Sequence, residues 1–219
     1  ITDGTHFTPT YINEGIHFIS VKDIRNKKIN FENCKYISEE EHKELYQRCN
    51  PENDDVLITK SGTIGRTCVV NVDREFSLFV SVALIKPFTN LLNPYYLMYR
   101  LDNYINMTDI QQTIKGGVIK NLHIVDMRQL VFPIFSLAEQ NEIVKQIEKH
   151  FSIIDKLELN VQQSIKESKR LRQSILKQAF EGKLVEQDPN DESASILLEK
   201  IAKAKEEYLK AQKKQVRKK

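Results

Sequence analysis

With 219 residues and 40% apolar content the chain can build one or two cored domains, and a formal charge of +3 is too small to imply bulk attraction to nucleic acid. Residues 203–219 hold eight Lys or Arg against two Glu, so the other 202 residues carry a net −3 and any DNA site must be a local patch. No stretch approaches a membrane span, no signal peptide is evident, and Cys34, Cys49 and Cys68 are odd in number without CxxC spacing, a pattern that predicts a cytoplasmic protein with reduced thiols.

Nearly all of the glycines and prolines fall before residue 135, where short apolar runs at 17–21, 56–59, 67–72, 79–86 and 129–132 predict strands. Helices interrupt them. Ser38, followed by three Glu, caps a helix over 38–48, and Asn93-Pro94 opens another through Asp102 with Pro at the first helical position. A weaker helical pattern covers 107–114 and ends at Gly116-Gly117. The mixture predicts an α+β domain. Three of its loops, 2–6, 60–66 and 115–120, combine glycine, hydroxyl and basic residues, the types that approach and pair with phosphates or guanine edges. Each loop reads equally well as a tight turn between strands.

The pattern changes at Phe135-Ser136. Ser136 and Glu139 form a capping box, and Pro133 keeps the residue before it extended. Apolar side chains then recur at Ile143, Ile147, Phe151, Ile154, Leu157, Val161 and Ile165, and through Ser168 at Leu171, Ile175 and Ala179. Their mean spacing of 3.6 residues is that of a nearly straight helix, with Gly182 as its stop. Such a helix is roughly 66 Å long, and its apolar stripe needs a partner. A second helix, from about 192 to 213 after Asp188-Pro189-Asn190-Asp191, carries Ile196, Leu197, Ile201, Ala204, Tyr208 and Ala211, enough to cover half of the first at most. Two long helices pairing antiparallel in a two-fold dimer would bury both stripes. The alternative is a long helix folded back on its own domain. The expected organisation is a domain over 1–135, the long helix over 136–182, and a linker, short helix and basic tail over 183–219.

No self-contained active site is legible. Gly62-Thr63-Ile64-Gly65 lacks the Gly-Lys-Ser/Thr of a phosphate-binding loop, and Asn93-Pro94-Tyr95-Tyr96 lacks the second proline of an amino-methyltransferase loop. The five histidines are scattered, so no metal site is expected, and no nucleophile-base pair stands out.

Several ordered motifs nonetheless share one resemblance. Residues 1–7 (Ile-Thr-Asp-Gly-Thr-His-Phe), Gly15-Ile16-His17-Phe18-Ile19 and Lys22-Asp23-Ile24 resemble the opening of a target-recognition domain of a type I restriction-modification specificity subunit. Residues 55–65, Gly116-Gly117-Val118-Ile119-Lys120-Asn121-Leu122, the junction over 133–148, and residues 176–192 are similar to further motifs of that family. The resemblance implies a non-catalytic subunit that binds double-stranded DNA and reads half of a bipartite target. It implies docking to modification (methyltransferase) subunits, which carry S-adenosylmethionine and methylate adenine, and assembly with restriction (motor-nuclease) subunits; this chain itself would bind no cofactor. A whole subunit of that kind resembles two copies of this chain, held by an antiparallel pair of long helices. The Trp and short strand that usually precede the Asp-Gly-Thr segment are missing here. The chain is thus expected to be either a natural half-subunit acting as a homodimer or one half of a longer subunit.

Motifs shared across domains that read different sequences are expected to hold the fold or touch phosphate. Lys60, Ser61, Thr63 and Arg66 are the first candidate phosphate contacts, followed by Thr5, His6, Lys115 and Lys120. The rival readings are a protein-interaction scaffold on a dimerising coiled coil, whose binding would not share the steep salt dependence of DNA binding, and a self-sufficient methyltransferase, which would itself bind S-adenosylmethionine.

Overall fold

The computed structural model describes residues 1–107, 122–186, 188 and 190–216. The predicted loop over 115–120, with Lys115 and Lys120, and all but Met107 of the weak helix over 107–114 lie outside the described residues. The chain divides into two compact units, Ile1–Ser152 and Ile153–Lys219.

In the first unit, strands β1 (Thr2–Asp3), β2 (Ile16–Ile19), β3 (Ile24–Arg25), β4 (Lys28–Ile29) and β5 (Lys35–Ile37) precede helix α1 (Glu39–Tyr46). Strands β6 (Val56–Thr59), β7 (Thr67–Val69), β8 (Phe76–Leu78) and β9 (Val82–Ile85) then lead to α2 (Pro94–Met107) and the short α3 (Ile124–Arg128). Sheet order is β1-β9-β6-β7 in an antiparallel sheet and β5-β2-β8 in a second, where β2 and β8 run parallel; β3 and β4 form a separate hairpin. The strands β6 and β9 are apolar runs without alternation because their sheet is covered on both faces. On one face Leu57, Cys68, Val82 and Leu84 pack with Ile19, Phe76 and Leu78. On the other, Val56, Ile58, Ala83 and Ile85 meet Leu97, Met98, Leu101 and Ile105 of α2.

Two strand expectations are corrected. The run 79–86 is no single strand: β8 pairs with β2, the chain reverses where Val82 N–H donates to Phe79 O at 2.9 Å, and β9 then joins the other sheet. Residues 129–132 follow α3 outside any sheet, beginning with Gln129 in a helical conformation; the apolar run serves the second core, against which Leu130 and Phe132 pack. The helix starts behave as their caps require. Ser38 Oγ accepts from Glu41 N, and Asn93 Oδ1 accepts from the amides of Tyr95 and Tyr96.

The long helix, α4, spans Leu137–Phe180, with the full capping box at its start: Glu139 N–H donates to Ser136 Oγ while Ser136 N–H donates back to Glu139 Oε2. At its end Gly182 takes φ 68°, Lys183 N–H reaches Gln178 O, and Gly182 N–H reaches Ala179 O, a Schellman closure. Its first turns belong to the first unit, where Gln140 and Val144 are buried, so that unit runs past the Ser136 seam. Within the second unit, Ile154, Leu157, Val161, Ile165, Leu171 and Ile175 of the α4 stripe are 44–63% exposed, and Ile196, Leu197, Ile201 and Tyr208 of the last helix, α5 (Ala194–Val216), are exposed as well. Among the described residues nothing covers either stripe there.

Candidate nucleic-acid interface

The segment Asp3-Gly4-Thr5 is built into the sheet. Gly4 N–H donates to Val82 O, Thr5 N–H to Leu78 O, and Val80 N–H to Thr5 O. A Cβ on Gly4 would lie 2.0 Å from the Leu78 carbonyl oxygen, so only glycine lets the chain pass this closely. Asp3, thereby fixed, gathers three basic side chains: Lys60 Nζ at 3.0 Å, Arg48 Nη2 at 2.9 Å and His6 Nε2 at 3.2 Å. Burial pushes its carboxyl up, but Lys60 and then His6 pull it further down, leaving it below the ordinary 3.8. Arg48 also donates to the carbonyls of Asp3 and Gly4.

This geometry sorts the sequence candidates. Lys60 has its ammonium committed to Asp3, with a side chain only 12% exposed, and its carbonyl accepts from Leu122 N–H. Thr5 is buried, its hydroxyl turned to the backbone of Phe7. His6 is exposed and tethered to Asp3. The rest of the 60–66 loop reaches the surface. It is tied at its base by Thr59, whose Oγ1 donates to Thr63 O at 2.6 Å and accepts from Arg66 N–H at 2.9 Å. Gly65, at φ 89°, permits the return.

Two grooves flank this loop. One, of about 520 Å³, is lined by Tyr11, Lys22, Asp23, Asn33, Lys35, Ser61 and Gly62 among others, with Lys35 Nζ 3.9 Å from the Tyr11 ring centroid. The other, of about 480 Å³, is lined by Arg25, Lys27, Ile64, Gly65, Arg66 and Asp102 among others. The structure therefore brings Ser61 and Arg66 to neighbouring grooves rather than to one site, while Thr63 stands exposed between them. It also adds residues absent from the sequence candidates: Lys22, Arg25 and Lys27 in the groove linings, and Lys28 beside them on β4. Their signal was four basic residues within the seven positions 22–28.

Other chemistry is poorly placed. His42 Nδ1 lies 2.9 Å from Ser77 Oγ and its Nε2 lies 3.2 Å from Glu75, an arrangement reminiscent of a catalytic triad. Ser77 is 1% exposed, so its hydroxyl cannot meet a substrate; the trio ties α1 to β8. Burial pushes the Cys68 thiol up to about 12 and raises Cys34 and Cys49 too, away from reactive thiolates. Among the described residues no group of His, Cys, Asp and Glu could hold a metal ion, and no helix is long and apolar enough to cross a membrane.

Residues 7–167 match the family model for the type I restriction modification DNA specificity domain. The chain belongs to this family. Among specificity-domain relatives, the type I restriction enzyme EcoBI specificity subunit of Escherichia coli is 33% identical over 198 residues, covering 87% of this chain and 42% of the relative. A chain of a type I R-M system, solved to show its complex assembly and conformational transition, superposes with a TM-score of 0.64 at 21% identity, covering 84% of this chain and 43% of that one. The HsdS subunit from Thermoanaerobacter tengcongensis gives 0.56 at 22%, covering 84% and 42%. At such identities the likeness is one of fold. The chain spans about two fifths of the length of these relatives.

Proposed function

We propose that this chain is a non-catalytic DNA-recognition subunit that reads half of a bipartite target and docks the methyltransferase subunits of a type I restriction-modification enzyme. The observation that carries the reading is the match of residues 7–167 to a DNA specificity domain. The surface of the first unit supports it, with Ser61, Arg66, Lys22 and Lys35 lining two grooves and Thr63 exposed on the same loop. Phosphate contacts from such groups set register and affinity, and base edges are read by the side chains between them. S-adenosylmethionine belongs, in this reading, to the partner subunit.

The uncovered stripe of α4 supports a homodimer. Two such helices paired antiparallel, each roughly 66 Å long, can hold recognition domains around half-sites spaced about one duplex turn, or roughly 34 Å, apart. The test is selection from a randomised duplex library by the chain together with its modification subunit. Two inverted half-sites around a fixed spacer are expected. A single enriched half-site would remove the homodimer, and the absence of enrichment would favour a protein-interaction scaffold.

A further inference from the structure

The hairpin of β3 and β4 carries two local penalties. Its turn residues Asn26 and Lys27 both have positive φ, 52° and 57°, the geometry two-residue hairpins favour but one that lysine adopts reluctantly. In its register Arg25 stands directly opposite Lys28, and like charges across a strand pair repel. Such penalties persist where the surroundings, or a ligand, compensate them.

Lys27 is compensated from within. Its ammonium pairs with Asp102 and lies 5.5 Å from the Tyr99 ring centroid, which anchors the turn on α2. Arg25 and Lys28 are not. Arg25 Nε donates to Lys22 O at 3.0 Å, and neither its guanidinium nor the ammonium groups of Lys22 and Lys28 form an ion pair among the described residues. The adjacent carboxylate, Asp23, accepts from both Ser20 N–H and Ser20 Oγ at 2.8 Å and so closes its own turn. Across the groove, Arg66 Nη1 donates to Ile24 O at 3.2 Å, which places a further cation beside the hairpin. Asp102, among the described residues the one carboxylate lining this groove, already pairs with Lys27.

We infer that the hairpin and Arg66 form a clamp for backbone phosphates of duplex DNA, with Arg25 and Lys28 each holding one of two neighbouring phosphates whose charge relieves their mutual repulsion. The inference rests on the DNA-recognition reading above. A protein partner fits less well, because interfaces of that kind need an apolar centre and the hairpin offers none: Ile24 is buried and Ile29 packs against the core.

The test uses the full chain and a mixed-sequence duplex of about 30 base pairs, with affinity followed by fluorescence anisotropy across a salt series. Each phosphate contact contributes roughly 0.9 to the slope of log K against log salt. Arg25→Ala with Lys28→Ala should therefore flatten the slope by about 1.8, weaken binding roughly tenfold or more near 0.1 M salt, and do so alike on any sequence. Lys28→Gln alone should give about half the slope change. Because these side chains are exposed, melting followed by circular dichroism should match the wild type, which separates lost contacts from lost fold. Wild-type affinity and slope in the double variant would overturn the clamp and leave DNA recognition standing. Binding by the wild type that does not vary with salt would overturn both.

Discussion

The ammonium of Lys60 and the carboxylate of Asp3 meet at 3.0 Å with side chains 12% and 10% exposed, so Lys60 is the most buried of the cations that hold this carboxylate. Removing one partner of a buried pair typically costs roughly 3–5 kcal/mol; with Arg48 still on the other Asp3 oxygen at 2.9 Å, Lys60→Met should cost about 2 kcal/mol at pH 7. The pH dependence follows from the direction of the Asp3 shift. Its folded-state carboxyl lies below the ordinary 3.8, so its contribution is present above that value and is lost as pH falls through the depressed one. Urea unfolding should therefore show a clear loss for Lys60→Met at pH 7 and a much smaller one once the pH has fallen through the depressed Asp3 value. Equal losses at both would refute an ionic role. In a sequence Lys60 resembles a phosphate ligand, since it stands beside Ser61-Gly62 while its partner lies 57 residues earlier. Arg25 and Lys28 illustrate the opposite case: their charge was in plain view, but only the hairpin register shows them opposed and unneutralised.

At the scale of elements, what could be read in advance was whatever local chemistry decides. Ser38, Asn93, Ser136 and Gly182 mark helix ends through bonds to their own neighbours, and those ends fall where the caps put them. Sheet membership is a distant property. Nothing between Phe76 and Ile85 announces that the chain changes sheets, because both strands are β-prone and the reversal contains neither Gly nor Pro. The junction after Pro133 also gains a physical account. Glu139 closes the capping box, Asn141 Oδ1 accepts from Asn93 Nδ2 at 2.7 Å, and Gln140, fully buried, accepts from Asn93 N–H while donating to the carbonyls of Leu91 and Phe135. One side chain thus joins the start of the long helix to the start of α2. We predict that Gln140→Leu, similar in volume, costs about 2–4 kcal/mol by stranding three backbone groups. A denaturant midpoint unchanged from wild type would show that these groups find other partners.

At the scale of the molecule, the stripe along α4 decides between a chain sufficient in itself and one that requires a second helix. Leu157, Val161, Ile165 and Leu171 stand 51–63% exposed on one helix, a row of apolar side chains of the kind that marks an interaction surface. The last helix of the chain leaves this surface uncovered and adds exposed apolar positions of its own at Ile196, Leu197, Ile201 and Tyr208. A second copy running antiparallel would place Ile154 in the seam, where an unpaired carboxylate would be stripped of water without a counter-charge. Ile154→Asp should therefore convert a dimer into monomers by light scattering while the circular dichroism of the first unit stays the same. Ile154 makes no contribution to either core of that unit, so a collapse of its fold is not expected. Should the wild type already scatter as a monomer, the stripe is reserved for a helix of a different chain. Retention of the dimer in Ile154→Asp would move the interface off this face altogether.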